Sequence, residues 1–106
     1  MELDRIYTTQ RRLRNAGQVA EMVSTLAEGG TLPAVMIGEL DDGTCFICDG
    51  HHRCLAYHLS GRKKLSWGEF LLLPGANPRS LRGRITTPEV VRRLLDDRSS
   101  RPSVDR

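Results

Sequence analysis

The sequence predicts an α+β domain, in which a small mixed sheet containing a β-hairpin carries packed helices. Three observations predict it. Apolar residues recur at helical spacing over residues 19–27 and again over residues 90–95. The runs "LPAVMIGEL", "CFIC" and "LSWGEFLLL" are instead short, continuous and apolar, as strands of a small sheet are. Between the first two of these runs stands "DDGT", a turn rich in Asp and Gly that makes them the arms of a hairpin.

Each element has its own justification. Leu3, Ile6 and Tyr7 predict a short first strand ahead of the basic turn "TTQRRLRN". Asn15 is the expected N-cap of the first helix, where Val19, Met22, Val23, Leu26 and Ala27 share a face until Gly29-Gly30 stops it. The hairpin follows. Asp49 is expected to cap a second helix running from about His51 to Ser60, with Leu55, Ala56 and Leu59 inward and Gly61 as its stop. After "GRKK" comes the strand "LSWGEFLLL", closed by Pro74, with Trp67 and Phe70 assigned to the core. The last helix opens at Thr86 or Thr87 with Pro88 in its first turn, and Val90, Val91, Leu94 and Leu95 form its packing stripe. One domain over residues 1–97 and a flexible polar tail over 98–106 complete the expected organisation.

At 106 residues the chain has material for about one core. A hydrophobic content of 39% beside 27% charged residues argues against a disordered chain, and no apolar run approaches the roughly 20 residues of a spanning helix. The opening "MELDRIYTTQRR" has acids and no apolar stretch, so a cytoplasmic location without membrane contact is expected. Sixteen Lys and Arg face thirteen Asp and Glu. The basic residues are grouped: Arg11, Arg12 and Arg14; Arg53, Arg62, Lys63 and Lys64; Arg79, Arg82 and Arg84. Anionic partners are expected, and the last group together with Arg92 and Arg93 makes DNA one of them. Three cysteines within ten residues are odd in number and suit reduced thiols. A zinc site built on Cys45-x-x-Cys48 is disfavoured because a strand turns those two side chains to opposite faces; small buried hydrophobes describe the cysteines better.

The chemistry concentrates in "CDGHHR", residues 48–53. A strand that turns through Gly50 straight into a helix leaves the first helical N–H groups without intrahelical acceptors, and the helix dipole adds positive potential there. Such an end favours phosphate. His51 and His52 bring side-chain donors, and Arg53 brings a guanidinium fork that matches phosphate oxygens. Asp49 is the exception in this cationic group. A carboxylate beside phosphate suits a bridging Mg²⁺ or a proton-accepting role.

The stretch "LPAVMIGELDDGTCFICDGHHRCLAYHLSGRKKL" resembles the ParB/sulfiredoxin superfamily, with the likeness sharpest at Asp49, Gly50, His51, His52, Arg53 and Ala56. The resemblance implies a nucleotide-binding domain in which Asp49 touches Mg²⁺ and Gly50, His51, His52 and Arg53 hold phosphates. It also implies an Arg from the loop after the first strand, Arg11 or Arg12, on the nucleotide. Sulfiredoxins carry a cysteine where this chain has His51, which closes the thiol route to sulfinic acid reduction. Partition-type ParB proteins differ at His51 and His52 and carry a downstream Glu-Asn-x-x-Arg box that this chain lacks, "ANPRSL" being at best a remnant of it. Free serine kinases of the same superfamily share Asp-Gly-His-His-Arg, although their catalytic Glu has no counterpart in "TTQRRLRN". From that likeness comes the expected activity, a phosphotransferase using ATP or ADP on a small hydroxylated metabolite, with Asp49 and His51 as catalytic residues. The alternatives are a CTP- or ATP-responsive module binding DNA or protein, and a ParB-like nuclease.

Overall fold

The computed structural model describes residues 1–96, so the expected boundary at Asp97 and the tail over 98–106 lie outside the described residues. In chain order the elements are a 3-10 turn (Leu3–Arg5), β1 (Ile6–Tyr7), α1 (Gly17–Ala27), β2 (Val35–Glu39), β3 (Cys45–Asp49), α2 (His51–Leu59), β4 (Phe70–Pro74) and α3 (Pro88–Leu94). The strands form one mixed sheet in the order β1-β3-β2-β4. β2 and β3 are the antiparallel hairpin, and β1 and β4 add parallel to β3 and β2 respectively. The α+β class and the element order are those the sequence predicts.

One face of the sheet builds the main core. Ile6, Val35, Ile37, Ile47 and Phe70 are buried there together with Cys54, Leu55, Ala56 and Tyr57 of α2 and Val90 and Leu94 of α3. The loop residues Leu13, Leu65 and Ile85 complete it. Phe46 points to the opposite face, where its ring is buried against Gly38. A Cβ on Gly38 would come within 2.6 Å of Phe46 Cε2 and 2.9 Å of Cys48 Sγ. Gly38→Ala is therefore expected to lower stability by about 1–3 kcal/mol through overpacking, read as a lower midpoint in urea unfolding.

Several local expectations are corrected. Leu3 lies in the 3-10 turn rather than in a strand, because the chain start is drawn to the segment after α2. The Leu3 N–H donates to the Lys63 carbonyl at 2.9 Å, and the Leu65 N–H donates to the Met1 carbonyl at 2.7 Å. The N-cap position of α1 is Ala16, not Asn15, and carries no side-chain cap, while the Asn15 N–H donates to His52 Nε2. Leu59 is 45% exposed, at the outer end of α2. Trp67 is 88% exposed and stacks on Phe70 with ring centroids 5.4 Å apart, so only Phe70 belongs to the core. The reason is a turn over residues 66–69 that delays β4. Its closing bonds are Glu69 N–H to the Ser66 carbonyl and Ser66 N–H to Glu69 Oε1, with Arg62 paired to the same carboxylate. Of the cysteines only Cys54 is fully buried, which pushes its thiol up to about 12. Cys45 is half-buried against the core, and Cys48 is exposed on the other face beside Gly38.

Candidate functional site

The site grows from the β3–α2 junction. Gly50 is the N-cap of α2 and has φ 111°, a conformation that side chains other than glycine's adopt at a cost. No side chain caps this helix; the Asp49 carboxylate turns instead to Arg53, Oδ2 to Nη2 3.3 Å. The first bond of the helix is Cys54 N–H to the Gly50 carbonyl at 2.9 Å, so the amides of His51, His52 and Arg53 open outward. They face a cleft of about 350 Å³ lined by Gln10, Arg14, Gln18, Cys48, Asp49 and the start of α2.

The paired histidines have a different task from the one their charge class predicts. His51 Nε2 accepts the Thr9 backbone N–H at 3.1 Å, and His52 Nε2 accepts that of Asn15 at 3.3 Å. Thr9 Oγ1, 3.4 Å from the His51 ring, donates to the Ile47 carbonyl at 3.0 Å. Each imidazole therefore holds one end of the loop after β1 against the start of α2. An accepting Nε2 places the proton of each neutral ring on Nδ1. His51 is 3% exposed. Burial, helped by neighbouring His52 and opposed by Asp49, brings it down to about 4. His52 is also shifted down, first by burial and then by Arg53 and Arg14. At neutral pH both rings are uncharged supports of the loop, and neither presents Nε2 to a phosphate.

Arg53 is similarly engaged. Nη1 donates to the carbonyls of Pro33 and Ala34 at 3.2 and 2.8 Å while Nη2 meets Asp49. Its side chain is 16% exposed, so the guanidinium ties the approach to β2 to the turn and keeps only a limited surface toward the cleft. Asp49 is the accessible member of that pair, at 69%.

Arg11 and Arg12 are placed outside the cleft. Leu13 is buried, its N–H bonded to the Leu94 carbonyl, and this anchor turns the two arginines before it away while Arg14 enters the cleft. Arg12 lies 3.8 Å from Asp96. Arg14, Gln10 and Gln18 are the lining residues that pattern reasoning passed over; only the grouping of Arg14 with Arg11 and Arg12 pointed to it. The last basic group, with Arg93, is partly used by the fold. Arg93 donates to the carbonyls of Arg11 and Arg82 at 2.9 and 2.8 Å, and Arg84 lies over the Tyr7 ring.

Among the described residues no set of three or more His, Cys, Asp or Glu side chains is placed to hold a metal by itself. A cation shared between Asp49 and phosphate oxygens is the arrangement that fits Mg²⁺, which commonly takes one or two carboxylates with substrate phosphates. Among the described residues no helix is long and apolar enough to cross a membrane. No family model, curated protein or solved structure matches the chain.

Proposed function

We propose that the chain binds the polyphosphate of a nucleoside di- or triphosphate, together with Mg²⁺, at the start of α2. The observation that carries this reading is the cleft lined together by Arg14, Asp49 and the glycine-turned start of α2. The amides and Arg14 supply donors and positive charge to phosphate oxygens; Asp49 supplies a ligand for the cation that those oxygens share. The Asp-Gly-His-His-Arg turn that resembles the ParB/sulfiredoxin superfamily supports the same reading. In it His51 and His52 are positioning residues, and Arg53 stabilises the turn and orients Asp49. Phosphoryl transfer to a small hydroxylated acceptor is the activity we attach to the site, with positioning and charge neutralisation as its sources of rate.

Thermal-shift titrations with ATP, ADP and CTP, with and without Mg²⁺, test the binding. A nucleotide that binds the native state should raise the melting temperature, and more so with Mg²⁺. Arg14→Ala is expected to weaken binding by roughly tenfold, the loss of one charge-assisted contact. Asp49→Asn should abolish the Mg²⁺ dependence while leaving a metal-free response. If no nucleotide shifts the native protein under either condition, the proposal fails. Phosphate transfer to serine and other hydroxylated acceptors tests the attached activity separately. A nucleotide-responsive DNA-binding module is the second reading, favoured by exposed Arg79, Arg82 and Arg92. Its mark is a mobility shift at low salt that fades steeply as salt rises.

A further inference from the structure

Among the described residues β4 stands at the edge of the sheet, with β2 on one side and no strand on the other. The Val35 N–H donates to the Glu69 carbonyl and the Gly75 N–H to the Glu39 carbonyl, both at 3.0 Å. The alternation of a parallel ladder then turns the backbone groups of residues 69, 71, 73 and 75 toward β2, and those of Phe70, Leu72 and Pro74 outward. The edge's own residues do not guard it. Its sequence is Phe-Leu-Leu-Leu-Pro, with no charge along it, and Leu71 and Leu72 are 57% and 39% exposed. Natural edges usually carry lysine, an inward charge or a bulge to refuse a further strand; here only Pro74, at the strand's end, lacks a donor.

We propose that β4 pairs antiparallel with β4 of a second copy of this chain, across a two-fold axis at Leu72. The occupant is identified by self-complementarity. With Leu72 opposite Leu72, each N–H meets the other's carbonyl, and the Phe70 N–H meets the carbonyl of Pro74 in the second copy. In that register the donor missing from Pro74 leaves one Phe70 carbonyl in each copy without a partner. Leu71 falls opposite Leu73 on the sheet face bearing Phe46, so apolar side chains meet at every position and no like charges oppose one another. The exposed Trp67 ring adds apolar surface at the start of the same edge. A five-residue ribbon covers less than the roughly 800 Å² per partner of a stable complex, so the pair is weak and concentration-dependent.

Sedimentation from roughly 10 μM to 1 mM tests this, since interfaces of that size dissociate in this range. The mass is expected to rise from monomer toward dimer. Amide exchange at the two ends of the range identifies the surface: Phe70 and Leu72 should slow by at least about threefold at the top, while Leu71 and Leu73 stay protected at both. Leu72→Lys places like charges on the axis and should remain monomeric throughout. A monomer at every concentration overturns the proposal, and so does a dimer in which the Phe70 and Leu72 amides exchange as in the monomer. Exchange on the unaltered protein decides the matter even if Leu72→Lys folds poorly.

Discussion

Gly50→Ala is expected to lower stability by about 2–5 kcal/mol and to abolish ligand binding in the protein that remains folded. Two costs add. Alanine at φ 111° is strained by roughly 1–2 kcal/mol, since the left-handed region crowds Cβ against the backbone. Its Cβ would also sit 2.7 Å from Val35 Cγ1 and 2.9 Å from Val35 Cβ, and Val35, at the start of the interior strand β2, is fully buried. A buried, β-branched neighbour has little freedom to move aside, so overpacking adds about 1–3 kcal/mol. Relief of either contact by a backbone shift would rotate the start of α2 and with it the amides that face the cleft. Urea unfolding gives the stability change, and nucleotide titration of the folded fraction gives the functional one. A change under about 0.5 kcal/mol, the size of an ordinary surface substitution, would show that Gly50 is held there by neither constraint.

The same residue shows how far the pattern was readable. Apolar spacing, "DDGT" and the Thr87-Pro88 start of α3 are local signals, set by neighbours within a few residues, and the hairpin and helices follow them. The Asp49-Gly50 turn was legible as the start of a helix. That Gly50 and not Asp49 would be the cap depended on Arg53, which reaches back to the carboxylate and to the carbonyls of Pro33 and Ala34. Trp67 departs from its expected place in the core because hydrophobicity along a run says nothing about a four-residue turn locked by the Arg62–Glu69 ion pair. The resemblance points to Arg11 or Arg12, whereas the fold places Arg14 at the cleft. The side on which each arginine emerges is set by Leu13 packing beneath α3, a contact more than eighty residues away along the chain. The histidines hold the loop after β1 to the start of α2. The burial that makes them neutral acceptors is a property of the assembled fold alone.

That neutrality has a measurable consequence: the protein should lose roughly 3 kcal/mol of stability between about pH 6.5 and pH 4 through His51. In the unfolded chain the imidazole titrates near its ordinary 6.5, whereas in the folded chain it is held down to about 4. Between those values the unfolded state binds more protons, so unfolding becomes easier as pH falls, at ~1.4 kcal/mol per pH unit. Above 6.5 the ring is neutral in both states and the dependence vanishes. The structural cause is burial, which disfavours the charged ring, with His52 beside it adding to the shift and Asp49 opposing it; a protonated ring could also no longer receive the Thr9 N–H. Because the loop so held contributes Gln10 and Arg14 to the cleft, acid should weaken ligand binding along with the fold. His51→Gln separates the two roles of the ring: its amide oxygen still accepts from Thr9 but does not titrate. Urea unfolding at pH 4.5 and 7.5 should show the variant losing about 2–3 kcal/mol less than the parent over that interval. Equal losses in the two proteins would mean that His51 is not the buried neutral acceptor on which the loop, and the cleft it lines, are built.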